Sequence, residues 1–207
     1  VLLWSSAFVT TKPIVDNSDP FAALAFRFFF VAIGFYLFSI YTQQSLIINK
    51  KNLIESVLSG ILFHGFYLGG VFYSVSIGMP TGIAALIVTL QPVLTNALSG
   101  PILSERVSKK QWAGVFLGFI GAALVLGFDV GSGIPLLGVV ATIVALISIT
   151  TSTIWQKKLS NNLPLPVSNF YQAIGGCMFH VLIIIFFADP YINFSQTFLI
   201  AMSHQIF

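Results

Sequence analysis

Few side chains in this sequence can do chemistry, and those few sit inside long apolar runs. Arg27 lies about seven residues into the run from Phe21 to Tyr41, roughly 10 Å along a helix that rises 1.5 Å per residue. A guanidinium at that depth costs on the order of 1–3 kcal/mol unless it reaches water or faces a polar cavity. It is therefore either an anchor for an anionic group such as a carboxylate, or a side chain that snorkels to the outer headgroups and pairs with Asp16 or Asp19. Gln91-Pro92 falls at the centre of another run, Thr81 to Leu103. Proline cannot donate to the carbonyl four residues back, here Val88, so the helix kinks and leaves an acceptor free near the midplane. Thr89, Gln91 and Asn96 bring polar side chains to that break. Broken backbone at this depth is tolerated only where protein or water covers it, which makes the break a candidate substrate-facing element; its plainer reading is a packing kink.

His64 and His180 also lie within apolar runs. Either could titrate near neutral pH and carry a proton, or simply bond a neighbouring carbonyl. No Asp or Glu lies deep in any run, and Glu55 sits near the inner end of one, so a carboxylate proton relay of the usual sort is missing. Trp4, Tyr67, Tyr73, Trp155 and Tyr171 could line a cavity for a flat or amphipathic solute, or sit at the interfaces as an aromatic belt. Three His and one Cys leave little room for a metal centre or disulfides, and Cys177, inside an apolar run, reads as a packed thiol. There is no His-Glu-x-x-His pair, no Gly-x-Ser-x-Gly elbow and no intramembrane carboxylate pair. The chemistry is not that of an enzyme, and nothing in the sequence requires a cofactor.

The elements that must hold these residues follow from composition. Of 207 residues 57% are hydrophobic and only 7% charged, against about 25% charged in soluble domains; mean hydropathy is +0.95. The runs read as spans over Val1 to about Val15, Phe21–Tyr41, about Leu53–Ile77, Thr81–Leu103, Gln111–Phe128, Pro135–Gln156 and Val167–Ala188, with another beginning near Ser195. Short breaks carry turn chemistry: Asp16-Asn17-Ser18-Asp19-Pro20, Gly78-Met79-Pro80, Gly131-Ser132-Gly133 and Asn161-Asn162-Leu163-Pro164. Ser108 to Gln111 has capping-box spacing, and Gly65/Gly69, Gly114/Gly118 and Gly121 form small-residue faces for close helix packing. Barrel strands would show about ten residues of alternating polarity; these runs are twice as long and apolar all round. The first run is short of the roughly 20 residues a span needs, the chain starts at Val1 and it stops inside an apolar stretch at Phe207, so the sequence reads as a fragment.

The net charge of +3 does not signal a nucleic-acid partner, because the basic residues sit in short loops between spans. Lys50 and Lys51, then Arg106, Lys109 and Lys110, then Lys157 and Lys158 mark one side, while Asp16, Asp19, Asp129 and Asp189 occupy the other. Seven of the nine basic residues thus fall together, Lys12 and Arg27 being the exceptions. The positive-inside rule expects that side, and the N-terminus, in the cytoplasm of a cell-membrane protein.

At an offset of 145, Phe8–Gly34 falls on Thr153–Phe179 without gaps, so that Lys12 meets Lys157, Phe26 meets Tyr171 and Arg27 meets Gln172. The offset contains five spans, an odd number, so the second copy is upside down, as in many secondary transporters with substrate sites near the midplane. The expectation is an all-α polytopic transmembrane helix bundle of inverted five-helix repeats. Residues 1–128 form the first repeat and 134–207 a truncated second, with seven to eight of ten spans present and an intact length of about 290 residues.

With these features in place the sequence resembles the drug/metabolite transporter superfamily, in its EamA-type branch. The resemblance is carried by Trp4-Ser5-Ser6-Ala7-Phe8, Pro20-Phe21 and Ala25-Phe26-Arg27-Phe28, and by Ala84 to Ile87 through Gln91-Pro92-Val93. Ser104-Glu105-Arg106 through Trp112-Ala113-Gly114, then Gly118, Gly121 and Leu124, continue it. Tyr171-Gln172 falls where the second copy often has a tyrosine-glutamine pair, and Gln91 departs from the small or hydroxylated residue usual before that proline. The resemblance implies a ten-span carrier working by alternating access, often an exporter of amino acids or other small metabolites. A non-transporting scaffold or a small-lipid flippase on the same fold is the alternative. The partners implied are a small-molecule substrate and the lipid bilayer. The candidate substrate residues are Gln91, Pro92, Thr89, Asn96, Arg27, Tyr73, Trp155 and Gln172, with His64 and His180 as candidates for proton coupling.

Overall fold

The computed structural model describes residues 2–103, 108–128, 133–159, 163–187 and 189–206. The Glu105-Arg106 pair, Asp129, Gly131-Ser132 and the Asn161-Asn162 turn lie outside these residues, as do the side chain of Trp4 and the surroundings of Gly118. The described residues form helices α1 (Leu2–Val15), α2 (Pro20–Tyr41), α3 (Lys50–Gly60), α4 (Gly69–Ser76), α5 (Thr81–Val88), α6 (Gln91–Leu103), α7 (Lys109–Phe128), α8 (Leu136–Leu159), α9 (Leu165–Phe187) and α10 (Gln196–Ile206). A π-helical stretch, Ile61–Leu68, joins α3 to α4 without a break. Five of the resulting segments, Pro20–Tyr41, Lys50–Ser76, Thr81–Leu98, Leu136–Lys157 and Leu165–Phe187, are long and apolar enough to cross a bilayer. The chain is an all-α, multi-pass membrane helix bundle.

Local chemistry explains where the helices start. Asp19 caps α2, its Oδ1 accepting from the amides of Phe21 and Ala22 at 3.0 and 2.8 Å, and Pro20 takes the first helical position, where a missing N–H costs nothing. Asn49 caps α3 by accepting from the amide of Asn52 at 2.8 Å. α7 begins at Lys109, directly after Ser108. Gly78, with φ +98°, makes the turn between α4 and α5, a conformation that costs a side-chain-bearing residue dearly.

α2 and α9 share the most extensive helix contact in the bundle, α3 and the π-helical stretch also lie on α9, α8 packs along Ile61–Ser76, and α1 packs on α10. Glycine permits the closest approaches. A Cβ on Gly60 would lie 2.1 Å from the Gln172 carbonyl oxygen, and one on Gly175 2.5 Å from that of Val57, so α3 meets α9 backbone to backbone. Gly65 and Gly69 likewise abut Phe179 and His180, whereas Gly114 and Gly121 face no atom within 4 Å. Among the described residues the expected small-residue packing therefore holds for the first pair but not for those two glycines of α7, a helix that packs mainly on α5 and α6. The core joins Leu24 and Phe28 of α2 to Phe72, Val75, Ala173, Phe198 and Met202. Phe29, Ile33 and Leu37 on α2, Phe116 and Ile120 on α7, and Leu182, Ile185 and Phe186 on α9 are exposed, an apolar outer surface suited to lipid rather than water.

The loops after α1 and α9 lie on the same side. Ser18 and Ile192 form an isolated antiparallel bridge, the Asp19 amide donates to the Tyr191 carbonyl at 2.9 Å and the Asn193 amide to the Asn17 carbonyl at 2.8 Å. Ser195 adds a hydroxyl bond to Asn17 Oδ1 at 2.9 Å.

Candidate functional site

Arg27 turns into the bundle. Its Nη1 donates to Gln205 Oε1 at 2.9 Å, its Cζ stands 5.4 Å from the Phe28 ring centroid, and its Nε is buried without a hydrogen-bond partner. The acids that a snorkelling arginine would seek are engaged elsewhere: Asp16 pairs with Lys12, and Asp19 caps α2. Gln205 is held by the opposite helix, its Nε2 donating to the Ala7 carbonyl at 3.0 Å and to Thr10 Oγ1 at 2.9 Å. The guanidinium thus borders a cavity of about 130 Å³ lined by Ala7, Phe8, Thr11, Phe63, Tyr67 and Gln205, with Leu68, Val71 and Phe72 completing its apolar wall. α1, α2, the π-helical stretch, α4 and α10 all contribute to it.

The other candidate residues do not line this cavity. α5 ends at Val88 and α6 begins at Gln91, so the helix is interrupted at Thr89-Leu90, where Pro92 has no N–H to offer Val88. Gln91 Nε2 donates to Thr95 Oγ1 and to Thr153 Oγ1 of α8, both at 3.2 Å; Thr89 returns its hydroxyl to the Leu86 carbonyl at 2.6 Å. Asn96 is half-buried two turns into α6, and Pro92 is exposed. Trp155 is half-buried on α8, two residues beyond Thr153. Tyr73 stacks on Phe21 with ring centroids 6.2 Å apart, and Tyr171 donates its hydroxyl to the Leu46 carbonyl at 2.7 Å, tying α9 to the loop before α3.

His180 is fully buried, and its Nε2 donates to the carbonyl of His64 at 3.0 Å. Nδ1 of each ring is buried without a partner. Phe28 packs on both rings, with centroids 4.4 Å from His64 and 6.1 Å from His180.

Gln172 anchors a second polar cluster, between α3, α8 and α9. It accepts from Gln156 Nε2 at 2.9 Å and donates to Ser168 at 2.9 Å. Gln156 also reaches Ser152 Oγ at 3.3 Å, and Ser152 donates to the Ser59 carbonyl at 3.1 Å. The 145-residue offset that superposes Arg27 on Gln172 also superposes Ala7 on Ser152, Thr11 on Gln156, and Gly60 on Gln205. Arg27, Ala7, Thr11 and Gln205 thus have counterparts at the other cluster, Gly60 standing against the Gln172 backbone where Gln205 stands against Arg27.

Thr11 and Gln205 were not singled out from the sequence. Neither carries a signal of its own in the sequence, and it is the packing of α1 on α10 that brings them to Arg27.

A model of the EamA-like transporter family matches residues 1–127. The chain belongs to the EamA-like transporter family. Among curated relatives of this EamA-like chain, a protein of Salmonella typhimurium named "Probable amino-acid metabolite efflux pump" is 29% identical over 80% of the chain and 54% of the relative. A protein of the same name from Escherichia coli is 28% identical over 78% of the chain and 52% of the relative. A Bacillus subtilis protein named as a transporter, YvbV, is 26% identical over 75% and 53%. The EamA-like chain therefore spans about half the length of the curated relatives it matches. A solved crystal structure superposes over 99% of the chain and 74% of its own, with a TM-score of 0.73 at 16% identity, which establishes the shared fold.

Proposed function

We propose that the protein is a secondary carrier that exports a small metabolite by alternating access, with the Arg27 cavity as part of its substrate path. The single observation that carries this reading is a buried guanidinium bordering a cavity inside a membrane bundle, with no acidic hydrogen-bond or ion-pair partner among the described residues. A buried charge is costly to leave uncompensated, and a site meant to receive an anionic group is a reason to keep one. Family membership supports carriage, and the names of the relatives in Salmonella and Escherichia coli support an outward direction and a metabolite related to amino acids.

The two corresponding polar clusters support an inverted repeat over 1–128 and 134–207, in which each cluster takes two helices from one half and one from the other, α1/α2 with α10 and α8/α9 with α3. In this reading the interrupted helix α5–α6 is the element that moves: Gln91 holds it to α8 through Thr153, and the Thr89-Leu90 break lets α6 tilt without unfolding α5. The basic loops support a cell-membrane protein with its N-terminus and the loop at Lys50-Lys51 in the cytoplasm. The test is flux from vesicles holding the full-length protein. Gln91→Ala with Pro92→Ala should cut flux at least tenfold while the protein stays folded; undiminished flux would remove the break from the path.

A further inference from the structure

We infer that the Arg27 cavity takes its solute as a monoanion, a small monocarboxylate with an apolar tail, and discriminates against the zwitterionic amino acid of the same skeleton. The inference rests on the carrier reading for the cavity's purpose but on the lining residues for its chemistry.

Among the described residues the lining carries one charged side chain, the cation of Arg27. Its hydrogen-bonding capacity is lopsided. The Ala7 carbonyl already accepts from Thr10 Oγ1 at 3.0 Å, Thr11 Oγ1 at 2.8 Å and Gln205 Nε2 at 3.0 Å. Gln205 Oε1 already accepts from Arg27. The Ala7 carbonyl and Gln205 Oε1 thus already serve as acceptors within the bundle, while Arg27 Nε is a buried donor without a hydrogen-bond partner. A carboxylate brought to the guanidinium satisfies that donor and neutralises the charge in one step, through the planar geometry that suits Arg to carboxylates. An ammonium on the neighbouring carbon is brought beside a like charge in a poorly screened setting, without an acidic side chain on the lining to receive it. Beside the hydroxyls of Thr11 and Tyr67, the wall of Phe8, Phe63, Leu68, Val71 and Phe72 is apolar and fits a hydrocarbon tail. A cavity of about 130 Å³ suits a small solute with a short tail. Metabolites of this class are the 2-oxo and 2-hydroxy acids left when an amino acid loses its amino group.

Three probes of one skeleton separate the charges: 3-methyl-2-oxobutanoate as the monoanion, valine as the zwitterion and 2-methylpropylamine as the cation. Calorimetric titration of the full-length protein in detergent should show the oxo acid binding, valine at least tenfold weaker and the amine silent. Arg27→Gln should weaken the oxo acid at least tenfold, and Arg27→Lys should retain part of its binding. The probe ranking on the unaltered protein needs no variant to fold. Valine equal to or tighter than the oxo acid, no oxo-acid binding by the folded protein, or an unchanged affinity in a folded Arg27→Gln overturns the inference. Flux in proteoliposomes separates it from the carrier reading. An oxo acid that binds through Arg27 but is not moved sustains the subsite and sinks the carrier. A solute moved equally well by Arg27→Gln overturns the subsite and leaves the carrier standing.

Discussion

Gln205→Leu is the substitution whose cost the structure defines best. Among the described residues Gln205 is the hydrogen-bond acceptor for Arg27, at 2.9 Å, and it donates to the Ala7 carbonyl and Thr10 Oγ1 at 3.0 and 2.9 Å. A hydrogen bond to a charged group contributes about 1.5–3 kcal/mol and a neutral one about 0.5–1.5 kcal/mol. Losing all three removes about 2.5–6 kcal/mol, and the buried leucine returns about 1–2 kcal/mol, leaving a net loss of about 0.5–5 kcal/mol. Most of that loss comes from stranding a buried guanidinium, so it should vanish when the guanidinium is also removed. In a double-mutant cycle with Arg27→Met, equilibrium unfolding in mixed micelles should give a coupling of at least about 1.5 kcal/mol, the double variant being more stable than Gln205→Leu alone. Additive single effects would refute the reasoning, because they would mean that Arg27 draws its compensation from somewhere other than Gln205.

Other substitutions probe the packing and topology. Gly60→Ala, whose Cβ would sit 2.1 Å from the Gln172 carbonyl oxygen, should cost about 1–3 kcal/mol through forced separation of α3 and α9. Gly34→Ala, with open space around its Cβ, should be neutral or stabilising by up to about 1 kcal/mol from helix propensity; thermal unfolding compares the two directly. Gln172→Leu should lower the unfolding temperature by stranding Gln156, at a cost of about 1–2 kcal/mol, and Gln156→Leu in the same background should recover part of it. With the native Cys177 replaced, single cysteines at Lys51 and Tyr191 should react with a membrane-impermeant thiol reagent from opposite faces, Tyr191 from outside the cell; labelling from one face would break the topology.

Much of the fold was legible because the bilayer sets the length of an apolar run and turn chemistry marks its ends. Asp19-Pro20 announces the start of α2 by a cap and a missing donor, and Gly78 announces the turn before α5. The break at Gln91-Pro92 was legible for the same reason, since one missing N–H removes a defined helical bond. The partners were not legible. Nothing near Arg27 in sequence points to Gln205, which lies 178 residues away, and the nearby acids Asp16 and Asp19 were the obvious pairing until Lys12 and the α2 cap took them. The π-helical stretch was equally silent: Ile61–Leu68 reads as an ordinary apolar helix, yet it carries His64, whose carbonyl takes the His180 N–H. What could be read was the correspondence of Arg27 with Gln172, and it turned out to join two polar clusters rather than two residues.

Carriage of a small anionic metabolite past Arg27 is measured most directly in proteoliposomes of the full-length protein loaded with labelled 3-methyl-2-oxobutanoate, with release followed beside protein-free vesicles and vesicles holding Arg27→Gln. Release should run well above the protein-free rate and fall at least tenfold in Arg27→Gln. Release at the protein-free rate, or release indifferent to Arg27, would overturn carriage past Arg27.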